Sequence, residues 1–570
     1  MRTNLWWAVL LLAPGLMAQS AVNSKSTREQ GGSSVSVKDF EELRRALAAQ
    51  QEEMEHLKQE LQEKDQAIEQ AKQAALDAQQ KVNSLVSAAA EPSNQKSTVT
   101  TLQAEVSQLK TATNNVALGL QEQQRETKEL QSPLAIHYKG ITLTPGGFLE
   151  SATIFRTHNE NGDMTSTFAN IPFGGSANSH LSEFRGSARQ SRITLLGEGK
   201  TGDWKLSGYY EADFLGAAPT ANELQSNSFN LRQRQLWGQA ESSGGFSFLA
   251  GQSWSLLTTN RKAMTVRQEF IPLTIDSQYV IGYNWARQWG ARFTRNFNNR
   301  VWAALSVENP ETNLNVVNPP PGVFGFNNST NSTSPSSQFT LNNTPGANGI
   351  STDLAPDLIA KLGFEPGFGH YEIKAVGRFF RDRIGGHNDV QGAGGAGFGA
   401  ILPATKKVDV ILEALGGRGI GRYASGVGPD VTLRATGTIV PIQTFQAMAG
   451  FEAHPSPKLD VYLYGGDEYY GRSAYVNASG KGVGYGSPLN DVSGCTVESP
   501  SSSQLCQAQI RSLWQIQPGY WYRFYKGPMG TVQLGMSYWY TYKNVWAASN
   551  GPLPKGIENM IMTSFRYYLP

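Results

Sequence analysis

The side chains of this chain that could act on another molecule are arginines and lysines at repeating positions, and the action they suggest is electrostatic. Arg232 and Arg234 share one face of a two-residue repeat, and Arg192 and Arg292 occupy matching faces of other segments. Arg261, Lys262 and Arg267 crowd a single stretch between two such segments. Unopposed guanidinium groups on one wall raise the local concentration of small acids. Opposed by Glu211, Asp213, Glu308, Glu372 or Glu413, they brace the wall instead, and the sequence leaves both readings open. Covalent chemistry finds no footing, since there is no Gly-x-Ser-x-Gly elbow, no phosphate-binding glycine loop ending in Lys-Ser/Thr, and no histidine pair at helical metal spacing. No enzyme activity, metal or cofactor is expected. Cys495 and Cys506 lie close together in a Ser/Pro/Gly-rich segment without ligand companions, which favours a disulfide stapling one exposed loop.

The elements that must position these residues are strands. From Ile141 to the end the hydrophobic pattern has period two. In Asp203 to Phe214, Trp204, Leu206, Gly208, Tyr210, Ala212 and Phe214 alternate with Lys205, Ser207, Tyr209, Glu211 and Asp213. The last stretch does the same, with Trp514, Tyr520, Tyr522, Tyr538, Tyr540, Tyr542 and Tyr567 on apolar faces and clustered towards strand ends, as aromatic girdles are at membrane interfaces. About sixteen such strands are predicted, joined alternately by tight turns and longer loops. The fold class is thus an all-β transmembrane barrel of antiparallel strands, and residues 133–570 are assigned to it.

Composition agrees. The chain is 39% hydrophobic and 10% aromatic, with 59 glycines and a mean hydropathy of −0.37. Past the N-terminus no run approaches the roughly 20 apolar residues of a spanning helix. A net charge of +2 is no argument for nucleic acid. A basic side chain facing lipid would cost about 2–4 kcal/mol at the midplane, so Arg192, Lys205, Arg232, Arg234, Arg292, Lys374, Arg378, Arg511 and Arg566 are predicted to face a wet lumen. The long segment 256–287 is predicted to fold inward as a constriction, with Arg261, Lys262 and Arg267 nearest a permeating solute.

Upstream, Arg2, the apolar run Leu5 to Leu12 and the small residue Ala18 read as a signal peptide over residues 1–18. Residues 19–36 are a polar linker. In 37–132 heptads led by Phe40, Leu47, Met54, Leu61 and Ile68 predict an α-helical coiled coil, hence oligomerisation and a periplasmic location for this segment. Taken together, the signal peptide, the heptads, Arg189-Gln190-Ser191-Arg192-Ile193 entering an early strand and the aromatic C-terminal strand resemble the DcaP-like porins of Gram-negative outer membranes. The resemblance implies a homotrimer of sixteen-stranded barrels in outer-membrane lipid, passing small anionic solutes such as dicarboxylates, with Arg192, Arg232 and Arg234 matching inward arginines. The competing reading is an outer-membrane-anchored adhesin or envelope tether, in which the coiled coil meets peptidoglycan or a periplasmic partner.

Overall fold

The computed structural model describes residues 135–138, 140–216, 229–276, 278–321, 351 and 353–570. The expectations for the signal peptide, linker and coiled coil fall outside the described residues, as does most of the Asn/Ser/Thr-rich stretch after Pro321.

Eighteen strand segments join in one antiparallel sheet. Sixteen of them make the barrel. Ile136–Tyr138 only doubles back on the start of Ile141–Arg156, and Glu183–Ser187 continues the line of Arg192–Thr201, both pieces pairing with the same first strand. Closure is made where Phe148–Arg156 pairs with Met560–Tyr568 of the last strand, so no edge is left to seek a partner. The predicted strands coincide with the observed ones to within a few residues. The interruption at 188–191 and two small hairpins, Val431–Leu433 with Ile439–Pro441 and Ser473–Val476 with Gly482–Tyr485, went unpredicted.

Alternation sets which side each residue faces. In Asp357–Phe364, Asp357, Ile359, Lys361 and Gly363 are buried while Leu358, Ala360 and Leu362 are exposed. Outward rows carry Leu305, Ile373 and Phe293, each about as exposed as a side chain on a free surface, and cross-strand aromatic pairs such as Trp514 with Tyr540 at 5.3 Å. Such rows suit hydrocarbon. One rim is made of tight turns, where Gly202 and Asn299 take the left-handed conformation (φ 56° and 57°) that short hairpins demand. The opposite rim carries the long connections, with one exception: Ile384 and His387 are joined by only Gly385 and Gly386.

Two β-bulges correct the sequence reading. A register shift between Ile510 and Ser512 turns Ile510 inward and leaves Arg511 exposed, its guanidinium 5.2 Å from the Trp546 ring rather than in the lumen. Another, opposite Glu211 and Ala212, leaves Arg234 as an extra residue in Asn230–Ser242, so that Arg234 and Gln235 are both buried where strict alternation would send one of them outward. A period-two count cannot see an inserted residue.

Candidate functional site inside the barrel

Register places the first cluster. Arg192 opens its strand directly across from Asp213, and Asp213 lies across from Arg232 on the next strand. Arg232 grips Asp213 with two hydrogen bonds, from Nε at 3.0 Å and Nη2 at 2.8 Å. Arg234 is fully buried, donating to Glu211 at 2.5 Å, Asp213 at 2.8 Å and the Tyr279 hydroxyl at 3.2 Å. Arg192 approaches Glu211 at 3.5 Å and covers the Phe148 ring. Arg287, across from Trp254, lies between the Trp254 and Trp285 rings at 5.3 and 5.6 Å and within electrostatic reach of Glu211. Four guanidinium groups therefore surround two carboxylates, a formal excess of two positive charges. Beside them Arg566 pairs with Glu150 at 3.0 Å and stacks over Trp521 and Phe148.

The far wall is balanced more closely. Lys361 meets Glu372 at 2.9 Å, Lys374 lies 3.9 Å from Glu413, and Arg378 holds Asp357 at 3.1 Å and Asp430 at 2.7 Å. Arg292 is buried and donates to the Trp254 carbonyl at 2.5 Å, which makes it a brace between two strands and their loop.

Between the walls lies the segment 255–286, which leaves the loop rim after Phe246–Trp254 and descends through the lumen. Its backbone amides donate to carboxylates down the wall: Leu256 to Glu308 at 2.8 Å, Asn260 to Glu372 at 3.0 Å, and Ala263 to Glu365 in a turn on the opposite rim. On the way back Gly282 donates to Glu468 at 2.8 Å and Asn284 to Glu413 at 2.9 Å. The descending part ends in a hairpin closed by the Asn260–Glu269 bridge, with Ala263 and Arg267 in left-handed conformation. At this tip Arg261 pairs with Glu452 at 2.7 Å, Arg267 covers the Tyr209 ring at 5.1 Å, and Lys262 and Arg267 are exposed. Thus Arg261 is engaged, while Lys262 and Arg267 face open space.

The returning part is packed. Phe270, Ile275, Val280, Ile281 and Tyr283 are fully buried among wall residues including Met448, Tyr462, Tyr464, Leu513, Trp521 and Trp539. Gly282, with φ +85°, sits so close to the wall that a Cβ there would lie 2.0 Å from the Ala447 carbonyl oxygen. Lumen-facing Gln446, Glu468, Gln517 and Thr541 are consequently removed from water altogether, which an empty pore would not do. The residues that sequence reasoning missed are Tyr279, Glu452 and Glu468. The available signal was the run Phe270-Ile271-Pro272-Leu273 and its sequel Tyr279 to Trp285, too apolar for a solvated loop.

Elsewhere, Cys495 and Cys506 form a disulfide inside the 471–509 loop. A carboxylate–histidine group of Asp409, Glu452 and His454 lies near the hairpin tip, with Glu452 already occupied by Arg261 and Tyr464.

A closed sixteen-strand antiparallel barrel with an infolded third connection on its long-loop rim is the architecture of a porin. Among solved structures the chain is similar to the outer membrane channel DcaP of Acinetobacter baumannii, with 15% identity, 76% of this chain and 99% of that chain covered, and a TM-score of 0.53. Looser likenesses are to an anion-selective porin from Comamonas acidovorans (11% identity, 75% and 100% covered, TM-score 0.40) and to OprB of Pseudomonas putida (10%, 74% and 94%, 0.40). No protein-family model and no curated relative matches the sequence. The resemblance to DcaP-like channels is therefore carried by the fold.

Proposed function

We propose that the protein is an outer-membrane channel for passive diffusion of small hydrophilic solutes, with a preference for anions, assembled as a homotrimer. The observation that supports this most directly is the excess of guanidinium groups around Glu211 and Asp213 on the inner wall of a porin-type barrel. A low-dielectric wall focuses that field into the lumen and favours small organic acids over cations. Arg192 and Arg232, each partly exposed, are the members that water and solute reach, whereas Arg234 is sequestered. Stepwise conductance in planar bilayers, with a reversal potential of anion-preferring sign in a salt gradient, is the expected result. A cation-preferring sign would overturn the selectivity.

The packing of the lumen supports a second reading, in which the barrel is an anchor for an adhesin or envelope tether. Absence of conductance even after removal of the hairpin tip, together with peptidoglycan or cell binding, would favour it.

A further inference from the structure

We propose that the hairpin tip 261–268 is a gate that undocks while the returning segment 271–285 stays in place as a fixed part of the wall; this rests on the channel reading. The two parts of the segment are held very differently. The returning part buries Ile275, Val280, Ile281 and Tyr283 completely, continues the buried Phe270 before it, and closes to backbone contact with the wall, at Gly282 against Ala447 and at Gly466, where a Cβ would fall 1.8 Å from the Ile281 carbonyl oxygen. Moving it would expose that whole surface. The tip, in contrast, has Lys262, Arg267 and Gln268 exposed and buries only Met264 well.

The tip's hold on the turn rim is polar and local. Arg261 reaches Glu452 at 2.7 Å, the Ala263 amide reaches Glu365, and Met264 lies against Gly363. His370 bridges the two carboxylates beneath, at 3.0 Å from both Glu365 and Glu372, and Lys361 holds Glu372 in place. Above the tip, the Arg261 amide bonded to the Gln268 carbonyl at 2.7 Å and the Asn260–Glu269 bridge form a short ladder that lets eight residues move as one body. Two polar contacts, one thioether, the half-buried Val266 against the Tyr209–Trp237 cluster and Arg267 over the Tyr209 ring thus separate a closed arrangement from one in which the basic wall opens towards the turn rim.

The test uses the full-length protein in planar bilayers. Glu452→Gln removes the charge that Arg261 meets, and an about tenfold rise in the open-to-closed ratio is expected, equivalent to about 1.4 kcal/mol. A Cβ at Gly363 would stand 3.1 Å from Met264 Cγ, so Gly363→Cys with Met264→Cys should form a cross-link under oxidising conditions that abolishes conductance, restored by a reductant. Wild type given the same reductant controls for Cys495 and Cys506. If the cross-linked protein conducts like wild type, or if Glu452→Gln and a variant lacking 261–268 gate as wild type does, the gate is refuted and the channel stands. If no form conducts, including the variant lacking the tip, the channel reading itself fails and the gate with it.

Discussion

Arg232 and Arg234 were expected to act as a pair, and the structure separates their roles in a way that a paired substitution experiment can measure. Arg234 is fully removed from water and makes three side-chain contacts, to Glu211, Asp213 and Tyr279. Arg234→Gln leaves two buried carboxylates short of a partner. Breaking a buried ion pair from one side costs about 3–5 kcal/mol, and because Arg232 still grips Asp213 and Arg192 still lies near Glu211, the lower end, about 3 kcal/mol, is expected. Arg232, with a side chain 35% exposed, is screened by water, so Arg232→Gln should cost about 1 kcal/mol or less. Permeation should show the reverse order, since a solute meets Arg232 and not Arg234. Unfolding of the detergent-purified barrel followed by heat-dependent gel migration reads the first quantity, and the reversal potential in a salt gradient reads the second. Adding Glu211→Gln to Arg234→Gln should recover part of the lost stability, because the orphaned charge is then gone. Equal stabilities for the two single variants, or a larger selectivity loss from Arg234→Gln, would refute the division of roles.

Three further outcomes are expected. Gly466→Ala drives a methyl group into the Ile281 carbonyl; a loss of about 1–3 kcal/mol and new protease cleavage within 271–285 should follow, and unchanged cleavage would mean that the segment is not docked there. Burial in the 157–182 connection, against the pull of Arg156 and the Thr167 amide, raises the Glu160 carboxyl to about 8 from an ordinary 4.5, so its neutral form is the one the fold prefers. Its contribution is therefore full below about 4.5 and is lost as pH rises through about 8. Hydrogen exchange corrected for intrinsic rates should show Thr167 to Asn170 less protected at pH 9 than at pH 6, and Glu160→Gln should abolish the difference. Reduction of Cys495–Cys506, eleven residues apart, should release about 2–3 kcal/mol of local constraint, visible as faster proteolysis of the 471–509 loop with the barrel still folded; co-operative loss of the barrel would contradict it.

The strands were legible because membrane and lumen impose opposite demands on alternate residues, a constraint that repeats along some 400 residues of sequence. Positions such as Leu358, Ala360 and Leu362 against Ile359 and Lys361 follow it directly. Where the count slips by one, at Arg511 and at Arg234, the alternation of faces is broken, and nothing in a single sequence marks the slip. The partners of the arginines were illegible for another reason. Arg232 meets an acid on the neighbouring strand, which register alone decides, and Arg261 meets Glu452 across 191 residues of chain, which only the descent of the loop decides.

That descent poses a physical problem, because a mostly apolar loop must dock on a wall made polar by the needs of the outer face. The solution uses two kinds of contact at once. Leu256, Asn260, Ala263, Gly282 and Asn284 present backbone N–H groups to Glu308, Glu372, Glu365, Glu468 and Glu413, so the wall's charges are met by atoms that every residue except proline carries. The side chains are thereby free to be apolar and to fill the space among Tyr462, Tyr464, Met448 and Trp521. Glutamates that a sequence reader would assign to neutralising arginines are in this way engaged with loop amides, and the arginine excess at Glu211 and Asp213 is left uncompensated from that side. Conversely, replacing Glu413 or Glu468 by leucine should loosen the returning segment without making the channel more anion-preferring; a shift of the reversal potential in the anionic direction would mean that these acids had been opposing the arginines in setting the selectivity after all.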